Sequence, residues 1–132
     1  MSWNTEERTA VTFSEIKTIN RVFQGEIWIA DLGSKDGSVQ GGKRPVIVLQ
    51  NDTGNKYSPT TIVVPLTSRL KNDLPVHAEF GTQCGLKKVS VSIMEQITTI
   101  HQSQLIAKIG KLDENGIETV KNSIIESFKG IF

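Results

Sequence analysis

The stretch that decides the fold is GSVQGGKRPVIVLQND, residues 37–52. It begins with glycines and small polar residues, which predict a loop whose backbone can approach a ligand closely. From Arg44 onward it reads RPVIVLQN, a continuous apolar run that predicts a strand buried on both faces. Arg44 therefore stands where a flexible loop becomes a rigid strand, and its planar fork of donors matches a phosphate group.

More strands are predicted on both sides of this stretch. They are GEIWIADL (residues 25–32), TIVVPLTS (61–68), VHAEF (76–80) and the alternating VSVSIMEQITTI (89–100). Pro65 inside the second of these argues for an edge strand, a bulge or a strand end. NDTGNKYSPT, residues 51–60, is predicted as a turn-rich loop, and LIAKIGKL, residues 105–112, as a short strand or a helical turn.

Two helices complete the prediction. Helical spacing of apolar residues predicts a short helix over residues 14–23 and a C-terminal helix that begins after Asp113 as its N-cap. The apolar face of the C-terminal helix is formed by Ile117, Val120, Ile124 and Phe128. We therefore expect an N-terminal arm, residues 1–23, and one mainly β domain, residues 24–132. Short, closely spaced strands followed by one helix predict a small antiparallel barrel or strongly curved sheet capped by helices.

Composition narrows the function classes. The 132 residues carry 15 basic and 14 acidic side chains, so any nucleic-acid affinity requires a local cationic patch. The single cysteine, Cys84, suits a reducing cytosol and is interpreted as a bystander thiol. No apolar run is long enough to span a membrane, and the polar N-terminus predicts a cytoplasmic protein. Spacings typical of metal sites, Walker loops and serine hydrolases do not occur.

These residues leave one anion-binding hypothesis. If strands 44–51 and 61–67 are neighbours, Arg44 and Thr67 could face one phosphate, with Ser38 and Gln40 of the loop nearby. The structural alternative is that Arg44 is a surface charge at a strand end and Thr67 an ordinary strand hydroxyl. Composition and spacing leave both interpretations open.

Four segments, GEIWIADLG, GSVQGGKRPVIVLQNDTGNKYSPTTIVVPLTS, LPVHAEF and EQITTI, occur in this order. Over residues 24–128 the chain closely resembles the MazF/PemK family of toxin endoribonucleases, and most of all its Gram-positive branch. The resemblance implies an SH3-like antiparallel β-barrel of the CcdB/PemK toxin fold with a C-terminal helix, working as a homodimer without metal or cofactor. It also implies sequence-specific cleavage of single-stranded RNA, inhibition by a small antitoxin, and contact with DNA only through the antitoxin complex.

The resemblance also implies roles for particular residues. The catalytic arginine of the family lies in a GG-x-RP motif and matches Arg44, and its catalytic threonine matches Thr67. The RNA-contacting positions of the family match Ser38, Gln40, Leu74, Pro75, Glu95 and Gln96. Val39 stands where the best-known members carry glutamate, which can accept a hydrogen bond from a base. This departure bears on the cut sequence more than on the activity.

The hypothesis for the chemistry is attack of the RNA 2′-hydroxyl on the adjacent phosphorus. The products would be a 2′,3′-cyclic phosphate and a 5′-hydroxyl. Arg44 would stabilise the added negative charge and Thr67 would orient the phosphate. The general base stays open among His77, His101 and Glu95.

Two other functions remain as alternatives at this point. The same barrel class includes non-enzymatic toxins that bind and inhibit DNA gyrase, as the CcdB family does. A binding module that has lost catalysis and only sequesters RNA or a protein partner is the other alternative. Incubating the purified protein with RNA would discriminate both from a nuclease.

Overall fold

The structure of the protein, a computed structural model, describes residues 21–68 and 77–131. Its strands and helices are β1 (Glu26–Asp31), β2 (Lys43–Val48), α1 (Asp52–Tyr57), β3 (Thr60–Thr67), β4 (His77–Phe80), β5 (Ser90–Ile93), β6 (Thr98–His101), β7 (Leu105–Lys111) and α2 (Glu114–Ser127). Short 3-10 turns lie at Thr82–Cys84, Met94–Gln96 and Gln102–Gln104. The helix predicted over residues 14–23 falls largely outside the described residues, and residues 21–23 are not helical.

Antiparallel pairing joins the strands in the order β4–β5–β3–β2–β1–β7, and β6 pairs with the first half of β3. The sheet curls until the turn after β4 packs against β7, at the other end of this order. A Cβ atom at Gly85 in that turn would collide with the carbonyl oxygen of Ile109. The predicted mainly β fold, a small curled antiparallel sheet with a C-terminal helix, is therefore confirmed.

Strand β2 is buried on both faces, as its apolar run predicts. Val46, Ile47 and Val48 have no exposed surface. Ile47 belongs to a core cluster that reaches Val120 of α2, whereas its two neighbours belong to a second cluster with Val63. Each such burial contributes about 1.5–3 kcal/mol to folding, so β2 is a rigid platform for the residues at its start.

Pro65 lies inside β3, a strand with neighbours on both sides, and so it marks neither an edge nor a strand end. Along one side of β3, residues Thr60–Val63 pair with β6, whereas Leu66 and Thr67 pair with β5. Pro65 sits between the two partners. Its missing N–H therefore falls where the strand changes neighbours and no ladder bond is required.

Two predicted boundaries were wrong. Residues 51–60 are not all loop, because Asp52–Tyr57 form the short helix α1, capped by the Asn51 side chain on the Gly54 amide. The stretch 89–100 is not one strand, because a 3-10 turn at Met94–Gln96 separates β5 from β6. The alternation of polar and apolar residues breaks at this turn, where apolar Ile93 and Met94 are followed by polar Glu95 and Gln96, so the one-strand prediction overlooked a short local signal.

Helix α2 begins as predicted. The Asp113 side chain accepts a hydrogen bond from the Gly116 amide at 2.7 Å. The apolar face is only partly buried, since Val120 is in the core while Ile117 is exposed. None of the described helices is long and apolar enough to cross a lipid bilayer.

Candidate active site

Arg44 and Thr67 lie on neighbouring strands, as the anion-site hypothesis requires. β2 and β3 pair antiparallel, with Val46 opposite Pro65. The ladder ends at this pair, and Arg44 and Thr67 lie two residues beyond it, at the same end of the two strands. Both side chains are half-buried. Pairing between distant segments therefore brings together two residues that are 23 positions apart in the sequence.

Both residues line an open cleft of about 810 Å³ at the mouth of the curled sheet. Its walls come from β1, β2, β3, β5 and β7 and from the segment 85–88 that leads into β5. The charged residues in the lining are Lys43, Arg44, Lys87 and Lys88. No aspartate or glutamate is among the described residues that line it. In a chain of net charge +1, this cleft concentrates positive charge and suits a polyanion.

A backbone contact orients Arg44. Its Nε donates a hydrogen bond to the carbonyl oxygen of Gly41 at 2.9 Å. The base of the same loop is closed by hydrogen bonds from Gly42 to Gly33 at 2.7 Å and from Leu32 to Gly42 at 2.9 Å. The guanidinium is thus tied to the loop that precedes it, and its position depends on the conformation of that loop.

Gln96 holds this loop from the other side. Its side-chain oxygen accepts a hydrogen bond from the Gln40 amide at 2.7 Å, and its side-chain NH₂ donates to the Ser38 carbonyl at 2.8 Å. Gln96 lies in the turn between β5 and β6, 56 residues along the chain from Gln40. Its side-chain amide therefore holds the loop backbone, and its role in reading a base stays a prediction.

The fold agrees with comparisons to known proteins. Residues 23–128 match the model of a family described as the PemK-like, MazF-like toxin of type II toxin–antitoxin systems. The chain belongs to this family. Endoribonuclease MazF from Staphylococcus saprophyticus is 44% identical over 103 residues, which are 76% of this chain and 86% of the relative.

Solved structures of other PemK/MazF proteins share the fold. The toxin MazF-mt6 of Mycobacterium tuberculosis superposes with a TM-score of 0.68 at 23% identity, covering 79% of this chain and 96% of that one. An endoribonuclease in complex with its cognate antitoxin from a mycobacterial species gives a TM-score of 0.71 at 17% identity, with coverages of 84% and 97%. The MazF of Deinococcus radiodurans gives 0.69 at 18% identity, with coverages of 82% and 96%.

The other residues expected from the PemK/MazF pattern fall in three places. Gln40 lines the cleft beside Arg44, and Ser38 is exposed on the loop. Glu95 is exposed on the same turn as Gln96 and outside the cleft lining. Leu74 and Pro75 lie outside the described residues. Val39, with 53% of its surface exposed, projects from the loop between Ser38 and Gln40.

The positions of the histidines give little support to either one as the general base of the reaction. His101 is exposed at the end of β6, where its side chain accepts a hydrogen bond from the Gln104 amide and caps a 3-10 turn. Only the backbone of His77 is described, in β4. Within residues 21–68 and 77–131, no group of histidine, cysteine, aspartate and glutamate side chains could hold a metal ion.

Cys84 is a buried structural thiol. It is 1% exposed and belongs to the core cluster that contains Ile47. Burial, and secondarily the Asp113 carboxylate, raise the pKa of the thiol above its ordinary value of 9.0. A protonated thiol is a poor nucleophile, which agrees with the interpretation of Cys84 as a bystander.

Sequence reasoning missed three cations of the cleft: Lys43, Lys87 and Lys88. The adjacent pair in GLKKVS stands in a short segment with no phosphate-binding motif around it. The available signal was weak: two consecutive lysines between Leu86 and Val89, a pattern that more often forms a solvated surface. Only the curl of the sheet places them opposite Arg44.

Proposed function

We propose that this chain is a toxin endoribonuclease that cleaves single-stranded RNA, with Arg44 and Thr67 acting on the scissile phosphate. The observation that carries the proposal is their shared position in one cationic cleft, at the same end of neighbouring strands. Membership of the PemK/MazF family, with a relative that is named an endoribonuclease, supports the same activity.

The chemistry uses a nucleophile that the substrate carries. The 2′-hydroxyl loses its proton and its oxygen bonds to the adjacent phosphorus, the bond from phosphorus to O5′ breaks, and the leaving oxygen takes up a proton. The products are a 2′,3′-cyclic phosphate and a 5′-hydroxyl. Because the nucleophile is tethered beside its target, positioning supplies much of the rate enhancement and the reaction does not require a metal.

Arg44 and Thr67 have different roles at the scissile phosphate. The Arg44 guanidinium stays charged at any working pH and stabilises the extra negative charge of the transition state. The Thr67 hydroxyl hydrogen-bonds a phosphate oxygen and fixes the direction of in-line attack. Gly41 and Gln96 hold Arg44 in place through the loop, so that the guanidinium is oriented before substrate arrives.

Single-stranded RNA suits this site better than a duplex. An A-form helix hides the base edges of its deep major groove, whereas unpaired bases can be splayed against a protein surface. The loop that carries Ser38 and Gln40 borders the cleft and offers polar groups that can read such bases. Glu95, exposed on the neighbouring turn, offers an acceptor for a base amino group.

The partners follow from the family. We expect the chain to act in the cytoplasm as a homodimer and to be held inactive by a small antitoxin that covers the RNA cleft. The structure of a mycobacterial endoribonuclease with its cognate antitoxin supports an antitoxin partner. DNA contact is expected only through the complex with the antitoxin. Light scattering of the purified chain tests the dimer directly.

The decisive experiment is RNA cleavage by the purified chain in the presence of EDTA. We expect discrete cuts with 5′-hydroxyl ends, which end-sequencing then assigns to a recognition sequence. Replacing the 2′-hydroxyl by hydrogen at the cut position should abolish cleavage while binding is largely retained. Cleavage of an all-DNA strand, or cuts that ignore the 2′-deoxy substitution, would contradict the mechanism.

A further inference from the structure

The wall of the cleft that faces Arg44 carries two adjacent lysines, Lys87 and Lys88, in the segment between β4 and β5. Both are exposed. Within the described residues neither ammonium group is paired with a carboxylate. Two unneutralised charges that face an open cleft attract anions and raise their local concentration.

The backbone that carries these lysines is anchored to the fold. Cys84 and Leu86, before and after Gly85, are 1% and 5% exposed. Gly85 has φ +95°, and a Cβ there would collide with the backbone of β7, just as a Cβ at Gly110 would collide with the backbone of Cys84. This contact between two glycines leaves no space for a side chain and fixes the segment against the opposite edge of the sheet.

A further hydrogen bond fixes the main chain at the second lysine. The Ser90 hydroxyl donates to the carbonyl oxygen of Lys88 at 3.0 Å. Ser90 is buried and lines the cleft. The lysine side chains therefore start from a fixed backbone at the lining of the cleft, unlike lysines on a loose loop.

The lysines approach the cleft from the side opposite Arg44. β3 lies between β2 and β5, with Thr67 opposite Val91 of β5. Two strand spacings, about 10 Å, separate Val91 from Arg44, and Lys88 lies three residues beyond Val91. At this backbone separation, the lysines and Arg44 can contact different phosphates of one strand.

We propose that Lys87 and Lys88 form a second phosphate-binding site of the cleft, which holds the RNA backbone at phosphates other than the scissile one. The proposal rests on the proposed ribonuclease function, because the anion is taken to be the strand that Arg44 and Thr67 act on. Because these phosphates carry the same charge in the ground state and in the transition state, the contact stabilises both states equally. It therefore contributes to binding and not to the chemical step.

The test compares two double variants of the full chain. Lys87→Gln with Lys88→Gln removes two charges from the cleft wall. Lys56→Gln with Lys121→Gln removes two charges from exposed positions of α1 and α2 outside the cleft lining. Both variants have the same net charge. A difference between them in RNA binding therefore depends on where the two charges were removed and not on how many. Circular dichroism melts check that both fold.

We expect the cleft variant to raise the KM for a single-stranded RNA that contains the cut sequence by about 2- to 30-fold, with kcat nearly unchanged. The slope of log affinity against log salt should fall by about 0.7 for each phosphate that is no longer neutralised, hence by about 1.4 if each lysine holds one. The control variant should match the intact chain in both measurements. Equal KM values and equal salt slopes for the two variants would overturn the proposal.

Substituted RNAs then locate the contact. Each phosphate in turn is replaced by an uncharged methylphosphonate, and binding is measured on the intact chain and on the cleft variant. At the phosphate held by the lysines, substitution should weaken binding to the intact chain but no longer weaken binding to the variant. The proposal would be contradicted if substitution at every phosphate weakened binding to the intact chain and to the cleft variant equally. It would also be contradicted if only substitution of the scissile phosphate weakened binding.

The outcomes separate this proposal from the proposed function. If the intact chain cuts RNA and the lysine variant cuts it with unchanged KM, the second site is wrong and the function stands. If the intact chain does not cut RNA but the variant loses binding and salt dependence, the lysine site stands and the nuclease function is wrong. Loss of antitoxin inhibition with unchanged RNA binding would assign the lysines to the partner and overturn the proposal.

Discussion

Two polar segments flank β2, and the fold uses them in opposite ways. The loop over residues 33–42 borders the cleft, and its side chains are mostly exposed. The segment over residues 49–59 folds back on itself around Asn55, which has no exposed surface. Both read in the sequence as turn-rich and polar. One exposes its polar groups at the cleft, whereas the other uses them to hold the chain together.

The network around Asn55 shows the difference. Its side-chain oxygen accepts hydrogen bonds from the Gln50 side chain at 3.0 Å and from the Thr61 hydroxyl at 2.7 Å, and its NH₂ donates to the Gln50 carbonyl at 2.9 Å. Gln102, from beyond β6, donates to the backbone of Asn55 at 3.0 Å. Because buried polar groups are costly to leave unpaired, these residues stabilise the fold and leave function to the other loop.

The largest expected effect comes from Arg44, at the start of β2 directly after the loop over residues 33–42, here called the cleft loop. Arg44→Ala should lower kcat for RNA cleavage by about 10²–10³-fold, as loss of one oxyanion donor typically does. The melting temperature should change little, since Arg44 is half-buried at a strand end. Arg21→Ala, outside the cleft lining, serves as the control for loss of an arginine. Full activity of the Arg44 variant would place the active site elsewhere.

The reverse result is expected at Asn55. Asn55→Ala leaves the Thr61 hydroxyl and the Gln50 backbone carbonyl without this partner in a buried site. The free energy of unfolding should fall by about 2–4 kcal/mol, measured from urea midpoints. Asn122→Ala, on the exposed face of α2, should change it by less than about 0.5 kcal/mol. Equal stability of the two variants would remove the contrast between the loops, and so would a loss of activity per folded molecule for Asn55→Ala.

Gln96 offers a sharper test because it joins the cleft loop to the fold. Gln96→Ala removes both hydrogen bonds to the loop backbone, each worth about 0.5–1.5 kcal/mol. We expect kcat/KM to fall by about 10-fold while the sequence that is cut stays the same. Gln83→Ala, on an exposed turn outside the cleft lining, should have no effect. A changed cut sequence in the Gln96 variant would show that its side chain reads a base.

The smallest expected effect extends the comparison to the segment around Cys84. Because the pKa of this thiol is raised in the folded chain, the folded state keeps a proton that the unfolded state releases above about pH 9. The contribution of the thiol to stability is complete below pH 9 and is lost as pH rises through the folded pKa. Unfolding midpoints measured from pH 8 to 11 should therefore fall more steeply for the intact chain than for Cys84→Ala. Parallel slopes would contradict the shift.

The sequence predicts well what depends on neighbours along the chain. The burial of β2 follows from an uninterrupted apolar run, and the start of α2 follows from Asp113 three residues before Gly116. Helix α1 is missed because Gly54 and Asn55 inside it are poor helix formers. Its fold depends on Gln50, Thr61 and Gln102, which lie outside it.

The candidate site divides in the same way. Arg44 stands out locally as a fixed charge between a loop and a strand, so the sequence alone singles it out. Its position at the same strand end as Thr67 depends on the pairing of β2 and β3, and the approach of Lys87 depends on the contact between Gly85 and Gly110. No spacing rule predicts contacts that form only when a sheet curls and its two ends meet.

The change of partner at Pro65 also separates two kinds of selective pressure along one strand. Residues before it are committed to the ladder with β6, where a substitution disturbs the scaffold. Residues after it face β5 and the cleft. Because Leu66 is buried in the core and Thr67 is proposed to act on the phosphate, substitutions beyond the proline are expected to cost stability or catalysis. Divergence in RNA preference among such toxins is therefore expected in the exposed loop over residues 33–42 and not along this strand.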